Sequence, residues 1–165
     1  MKFYSYILVL LLVGCAAGST TSADRTTNSE ELARIISSVT EGTLVMEMEW
    51  AYPVGGSQIN LIGTPNHLTF KDGTVTAALP YFGERHAGTI YTRDGGVQFK
   101  GVPKELEIKE NVKKGTQVIE FDIREQGELY DVRIMFYDNL TCSVYVVSTQ
   151  RESIQYDGRV VRSKE

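Results

Sequence analysis

The sequence predicts a mainly β protein, an antiparallel up-and-down barrel of lipocalin-like topology, with a two-sheet β-sandwich as the alternative and one N-terminal amphipathic α-helix. Three observations predict it. From Thr43 onward, apolar residues recur at every second position, the period of a strand. Turn residues interrupt that alternation at roughly 8–12-residue intervals, the spacing of sandwiches and barrels. Most segments carry charge on their second face, so the strands are not buried on both sides as in a parallel sheet. With a single helix available, a sheet this long must curl on itself to hide its apolar face and its edges.

The chain opens on Met1-Lys2 and an apolar run, Ile7 to Val13. A membrane-spanning helix needs roughly 20 apolar residues, so this run is too short, but it suits the core of an export signal. It closes on Leu12-Val13-Gly14-Cys15, which resembles a bacterial lipobox. Residues 1–14 are therefore expected to be a lipoprotein signal peptide. Cys15 is expected to carry a covalent diacylglyceryl and acyl (palmitate) lipid, with no other cofactor. Ala17 is not the Asp that retains lipoproteins at the inner membrane, and no acidic run follows Cys15. The expected address is the cell envelope, lipid-anchored in the outer membrane and facing the periplasm. An ordinary secretory signal cut near Ala16-Ala17-Gly18 is the other reading.

Residues 15–28 are small and polar, as a flexible tether is. Residues 29–165 form the single expected domain. In Ser29 to Thr40, Leu32, Ile35, Ile36 and Val39 recur at helical spacing. Thr27 with Glu30 offers a capping box and Gly42 a stop. In the first strand Leu44, Met46, Met48, Trp50 and Tyr52 form the apolar face, ending at Pro53. Ile59 and Leu61 follow. His67 to Lys71 and Thr74 to Leu79 flank Asp72-Gly73, a strong hairpin signal. Thr89 to Thr92 and Val97 to Lys100 flank Arg93-Asp94-Gly95-Gly96. Leu106 and Ile108 precede a turn at Lys113-Lys114-Gly115; Ile119, Phe121 and Ile123 precede a turn at Gln126-Gly127. Tyr130, Val132, Ile134 and Phe136 lead through Asp138-Asn139 to Leu140, Cys142, Val144 and Val146. The last segment is Ile154 to Val161. Charges such as Glu47, Glu49, Glu120 and Asp122 on the second face could not meet lipid, which argues against a transmembrane barrel.

Leu79-Pro80-Tyr81-Phe82-Gly83, with Ala51-Tyr52-Pro53, Gly96-Val97-Gln98-Phe99 and Ile154-Gln155-Tyr156-Asp157-Gly158, resembles an uncharacterised bacterial lipoprotein family, domain of unknown function 4251. The resemblance runs from about Leu32 to Val160. It implies an exported envelope protein with a lipocalin-like barrel, and no activity; beyond lipidated Cys15 it carries over no functional residue.

Composition excludes some partners and leaves others. Net charge is −4, with 17 Lys and Arg against 21 Asp and Glu, and no basic cluster stands out, so no nucleic-acid partner is expected. With Cys15 lipidated, Cys142 is unpaired and falls among buried residues as an inert thiol. His67 and His86 show no metal-ligand spacing, so no metal is expected. Glu84-Arg85-His86 reads as a solvated loop, since adjacent residues rarely converge on one atom. No nucleophile elbow, phosphate loop or dinucleotide fingerprint occurs. Pro80 denies a ladder bond at a strand exit, which frees Tyr81 and Phe82 to cap an open barrel end. Tyr52, Tyr81, Phe82 and His86 are the candidate lip for a ligand or partner, and no catalytic residue is assigned. The leading expectation is a non-enzymatic lipoprotein binding a small apolar or amphipathic ligand in the barrel mouth. A structural or protein-interaction lipoprotein that docks an envelope protein is second, and an enzyme of unknown reaction third. Met46, Met48, Trp50, Phe70, Phe121, Tyr130 and Phe136 are bulky enough to fill such a barrel, so a small or closed cavity is expected.

Overall fold

The computed structural model describes residues 30, 33–39, 42–86, 95–111, 116–137 and 139–161. The expected signal peptide, Cys15, the tether, the strand at Thr89 to Thr92 and the Lys113-Lys114-Gly115 turn lie outside the described residues. Residues 33–39 form helix α1, to which residue 30 also belongs by conformation. Ile35 and Val39 are the buried side chains of this short helix, as their helical spacing requires. The amide of Gly42 bonds the Ser38 carbonyl at 3.2 Å and ends it.

Ten strands follow: β1 (Thr43–Pro53), β2 (Ile59–Asn60), β3 (His67–Lys71), β4 (Thr74–Leu79), β5 (Val97–Gly101), β6 (Lys104–Asn111), β7 (Thr116–Glu125), β8 (Glu128–Tyr137), β9 (Thr141–Ser148) and β10 (Ile154–Val161). All pairings are antiparallel, in one sheet of order β5-β4-β3-β1-β10-β9-β8-β7-β6, with β2 beside β1. Neighbours are consecutive in sequence except β1 and β3, separated only by the short β2, and β1 and β10, whose long-range pairing rolls the sheet up. Two-residue turns do the rest: Asp72-Gly73 and Gln126-Gly127 each hold both residues at positive φ, as a tight hairpin turn requires.

The two ends of the sheet order, β5 and β6, are adjacent in sequence, separated only by Val102-Pro103. One bent stretch of chain thus pairs first with β4 and then with β7. It joins the edges of the sheet, and counting β5 and β6 as one stave leaves eight around the ring apart from β2. The amide of Lys100 reaches a Glu125 carboxylate oxygen at 3.4 Å across the seam. This is the lipocalin-like barrel; a two-sheet sandwich does not describe a single continuous sheet.

The barrel interior is occupied by the chain's own side chains. Phe70 of β3 meets Phe121 of β7 edge-on at 5.5 Å between ring centroids. Phe99 of β5 stands 6.3 Å from Phe121 and 5.3 Å from Tyr130 of β8. Aromatic rings therefore touch from one wall to the other, with Met46, Leu68, Ile134, Phe136 and Tyr156 at 0% exposure around them.

One face assignment changes. The alternation of β1 places Leu44, Met46 and Met48 inward as expected, but the register against β10 shifts between Met48 and Trp50. Glu49 is the extra residue of a β-bulge, which reverses the faces beyond it. Ala51 is buried, whereas Trp50 and Tyr52 stand on the outer face, half-buried. The cause lies opposite, at Gly158: a Cβ there would lie 2.1 Å from the Glu47 carbonyl oxygen and 2.8 Å from the Met48 Cα. Only a residue without a side chain lets β1 bulge against β10. The Gly158→Ala variant is therefore expected to be less stable by about 1–3 kcal/mol, the usual cost of forcing atoms into a packed site. Urea denaturation checks this, and an unchanged midpoint would refute the close approach.

Candidate functional site

The end of the barrel where β4 exits and β10 begins holds a buried polar cluster centred on Arg151. This residue lies in the β9–β10 corner and is 4% exposed; Glu128, at the start of β8, is 6% exposed. The guanidinium grips the carboxylate with two bonds, Nε to Oε1 and Nη2 to Oε2, each 2.7 Å. Nη2 also donates to the Tyr130 hydroxyl at 3.3 Å. Nη1 donates to the Gly96 carbonyl at 2.8 Å and the Gly95 carbonyl at 3.5 Å. These contacts use all five donors of an arginine. Its planar face also stacks over Tyr81, 5.0 Å from the ring centroid, and lies 5.8 Å from Tyr130.

The neighbours complete the cluster. Ser148 donates its hydroxyl to Glu128 Oε1. The Tyr156 hydroxyl donates to the Pro80 carbonyl at 2.7 Å. The Tyr81 hydroxyl lies 2.8 Å from the Glu84 carbonyl and 3.1 Å from the Glu152 carbonyl. Residues 84–86 run beside the β9–β10 corner as a short bridge. His86 N bonds the Gln150 carbonyl, Glu152 N bonds the Glu84 carbonyl, and Arg85 faces Arg151. Burial alone would raise the Glu128 carboxyl, but hydrogen bonds from Arg151 and Ser148 outweigh it and hold the group below its ordinary value. Burial, followed by the bond to Glu128, raises the Tyr130 hydroxyl. The cluster at neutral pH is thus one cation, one anion and neutral phenols.

Chemically this arrangement is a fastener. An arginine with every donor engaged has none left for a phosphate or carboxylate. A carboxylate held below its ordinary value is a poor general base. Burial pushes the Cys142 thiol up to about 12, so it is protonated, and it is also 1% exposed, so it is inert as a nucleophile.

Of the four candidate lip residues, the structure brings three into one segment. Tyr81 is half-buried and pinned under Arg151, Phe82 is 42% exposed, and His86 is exposed with its backbone fixed to Gln150. Tyr52 stands on the outer face, paired across to Gln155, where burial and then the nearby Asp157 raise its hydroxyl. Asp157 Oδ1 accepts from Ser143 at 2.7 Å and from Gln155 at 3.1 Å. Register carries this outer surface further: Trp50 is opposite Asp157, and Gln155 is opposite Tyr145 of β9. Tyr145 and Val147 are 41% and 40% exposed. An aromatic, partly polar surface thus spans the outside of β1, β10 and β9. A separate shallow groove of about 290 Å³ lies beside it, lined by Glu47, Glu49, Leu61, Ile62, Asn66 and Arg159 among others.

Sequence reasoning missed Arg151 and Glu128. A signal existed for Glu128. It has the same parity as inward-facing Tyr130, Val132 and Ile134, and an acid at an inward position must find a partner. Nothing local points to Arg151, whose partners lie 23 and 55 residues away along the chain.

Replacing Arg151 with Met is expected to cost about 3–5 kcal/mol, because it leaves Glu128 buried and uncompensated. Adding Glu128→Leu should recover part of that loss in a denaturation series. The pair also sets a pH dependence. Glu128 has a lowered folded value, so its stabilisation is complete above the unfolded value of about 4.3. It fades as pH falls through the folded value. The stability gap between wild type and Glu128→Gln should therefore be flat from neutrality to mild acid and shrink below about pH 4.

A family profile described as a domain of unknown function, DUF4251, matches residues 26–160. The crystal structure of a DUF4251 family protein from Bacteroides eggerthii DSM 20697 resembles the fold with a TM-score of 0.61 at 14% identity, covering 82% of this chain and 87% of that one. No curated protein matches the chain.

Proposed function

The chain belongs to the DUF4251 family, and from that premise we propose that it is a non-enzymatic, lipid-anchored protein of a bacterial cell envelope that acts through contacts made by the outside of its barrel. One observation carries this reading. Rings from opposite walls touch inside the barrel, while Trp50, Tyr52, Tyr145 and Val147 lie on its outer face. A carrier of small apolar molecules needs the reverse arrangement, with a cavity of several hundred Å³ and greasy walls inside. At the end where a mouth was expected, Arg151 ties β8, the segment before β5 and the β9–β10 corner together. Tyr81, the most distinctive of the lip residues, is used as its platform.

The proposed anchor is the lipid on Cys15, and the proposed address is the outer membrane on its periplasmic side. Support comes from the apolar run Ile7 to Val13, the tetrapeptide Leu12 to Cys15 and the absence of Asp at position 17. The partner would be an envelope protein. An aromatic surface carrying Asp157, Gln155 and Arg133 around its rings suits a part-polar protein interface better than bilayer lipid.

Two measurements test this. Labelled palmitate is expected on the wild-type protein and absent from Cys15→Ala, which should also leave the membrane fraction. A photo-crosslinking residue at position 145 should give one discrete adduct in whole cells, and the same residue at Gln98 on β5 should not. Stoichiometric binding of a fluorescent apolar probe such as N-phenyl-1-naphthylamine, with no adduct at 145, would instead favour a ligand inside the barrel.

A further inference from the structure

We propose that β6 is a self-complementary edge and that two copies of this chain join along it, antiparallel, about a two-fold axis through Glu107. Among the described residues no strand pairs the second edge of β6, which ends the sheet order. An open edge of this length presents a row of free backbone donors and acceptors to whatever strand can reach it. Ile108 points to the inner face yet is 41% exposed, because the sheet stops beside it.

The sequence of the strand selects the occupant. Two strands related by a two-fold axis normal to the sheet must pair residues that share a face, which permits only registers centred on a residue. Centred on Glu107, the segment Glu105-Leu106-Glu107-Ile108-Lys109 reads as its own complement. Glu105 meets Lys109 of the second copy, Leu106 meets Ile108, Glu107 meets itself, and the two outer pairs recur by symmetry. The two Glu107 side chains are not isolated like charges. Each already accepts from its own Lys109 at 2.6 Å, and each would have the other copy's Lys109 on its diagonal. Centring on Leu106 instead sets Glu105 against Glu107 twice. Centring on Ile108 sets Glu107 against Lys109 twice and Ile108 against itself, but it also sets Leu106 against Glu110 twice. Of the three, the Glu107 register alone pairs each apolar residue of the segment with another apolar one.

The irregularity of β6 sets the length of the ladder. Between Lys104 and Glu107 the register against β7 shifts by one residue, and Glu105 has φ 51°. Regular pairing therefore ends there, leaving a short ladder with an ion pair at each rim and apolar pairs within. Lysine and a bulge ordinarily guard an edge against promiscuous strands. Here they also leave one fitting partner, another β6. This interface is separate from the aromatic face of β1, β10 and β9, and it stands whether or not that face has a partner.

The test is made on the full lipidated chain in its own membrane. Glu107→Cys places one accessible thiol at the axis, with Cys142 buried. A short bis-maleimide linker should convert much of it to a species of twice the mass, while Arg124→Cys stays monomeric. Adding Lys109→Glu should lower the yield about fivefold, since two ion pairs become repulsive. Adding Glu105→Lys to that variant should restore the yield, which shows that the loss was not a failure to fold. Equal yields at positions 107 and 124, or no effect of Lys109→Glu, would overturn the interface. A triple variant that remains monomeric would overturn the register.

Discussion

Arg151 has five donors and spends each of them inside the protein, on segments that the sequence keeps far apart. A meander barrel closes by pairing its first strand with its last, and that leaves the strand ends to be held by something other than ladder bonds. Here the β9–β10 corner supplies the cation, β8 supplies the anion and the chain before β5 supplies carbonyls. Such a pair gains little net stability over apolar residues of the same volume, because both ions lose their water. What it gains is direction. A guanidinium accepts its carboxylate and carbonyls in one plane, so the three segments cannot slide relative to one another without stranding a charge.

Two backbone irregularities complete the closure at places where side-chain packing cannot. At Val102-Pro103 the chain leaves β4 and joins β7, so one bent stretch bridges the two ends of the sheet while the second edge of β6 stays unpaired among the described residues. At Glu49 the bulge bends β1 where Asn66 fills the gap between β2 and β3. The Asn66 side chain accepts from the Met48 amide at 2.7 Å and donates to the Met48 carbonyl at 2.9 Å, the bonds a neighbouring strand would make. A carboxamide thus serves as one residue of ladder. Both devices exchange regular pairing for curvature, as a closed barrel demands of strands that would otherwise lie flat.

How far the sequence reveals this follows from how local each cause is. The alternation of Ile119, Phe121 and Ile123, or of Tyr130 to Phe136, is a local cause, and it places those side chains inward without further information. The Asp72-Gly73 turn is equally local. Trp50 is different: its face depends on Glu49 being skipped, and the skip depends on Gly158, which lies on a strand more than a hundred residues later. Simple alternation therefore puts Trp50 and Tyr52 inside, and they are outside. The polar run Ser148 to Ser153 has the composition of any exposed corner, so Arg151 looks solvated until Glu128 and the Gly95–Gly96 carbonyls are in place around it. Tyr81 was legible as a residue with a special position, but its task comes from Arg151.

The outer aromatic surface bears on function because nothing in the fold requires it. Inward positions must be apolar for the barrel to form, and Phe70, Phe99 and Phe121 are explained once the ring of strands is known. An outward position on β9 or β10 makes no such demand, and many outward positions here are polar, among them Glu47, Thr69, Glu120 and Arg133. Trp50, Tyr52 and Tyr145 depart from that rule together, around Asp157 and Gln155, whose carboxylate and amide order the surface between them. Large rings left half-exposed gain only part of the free energy that burial would bring, and they raise the risk of adhesion to other proteins. Gathered across neighbouring strands around an acid that is itself held by Ser143 and Gln155, they make a prepared contact surface. A contact made on the outside explains both that surface and the filled interior.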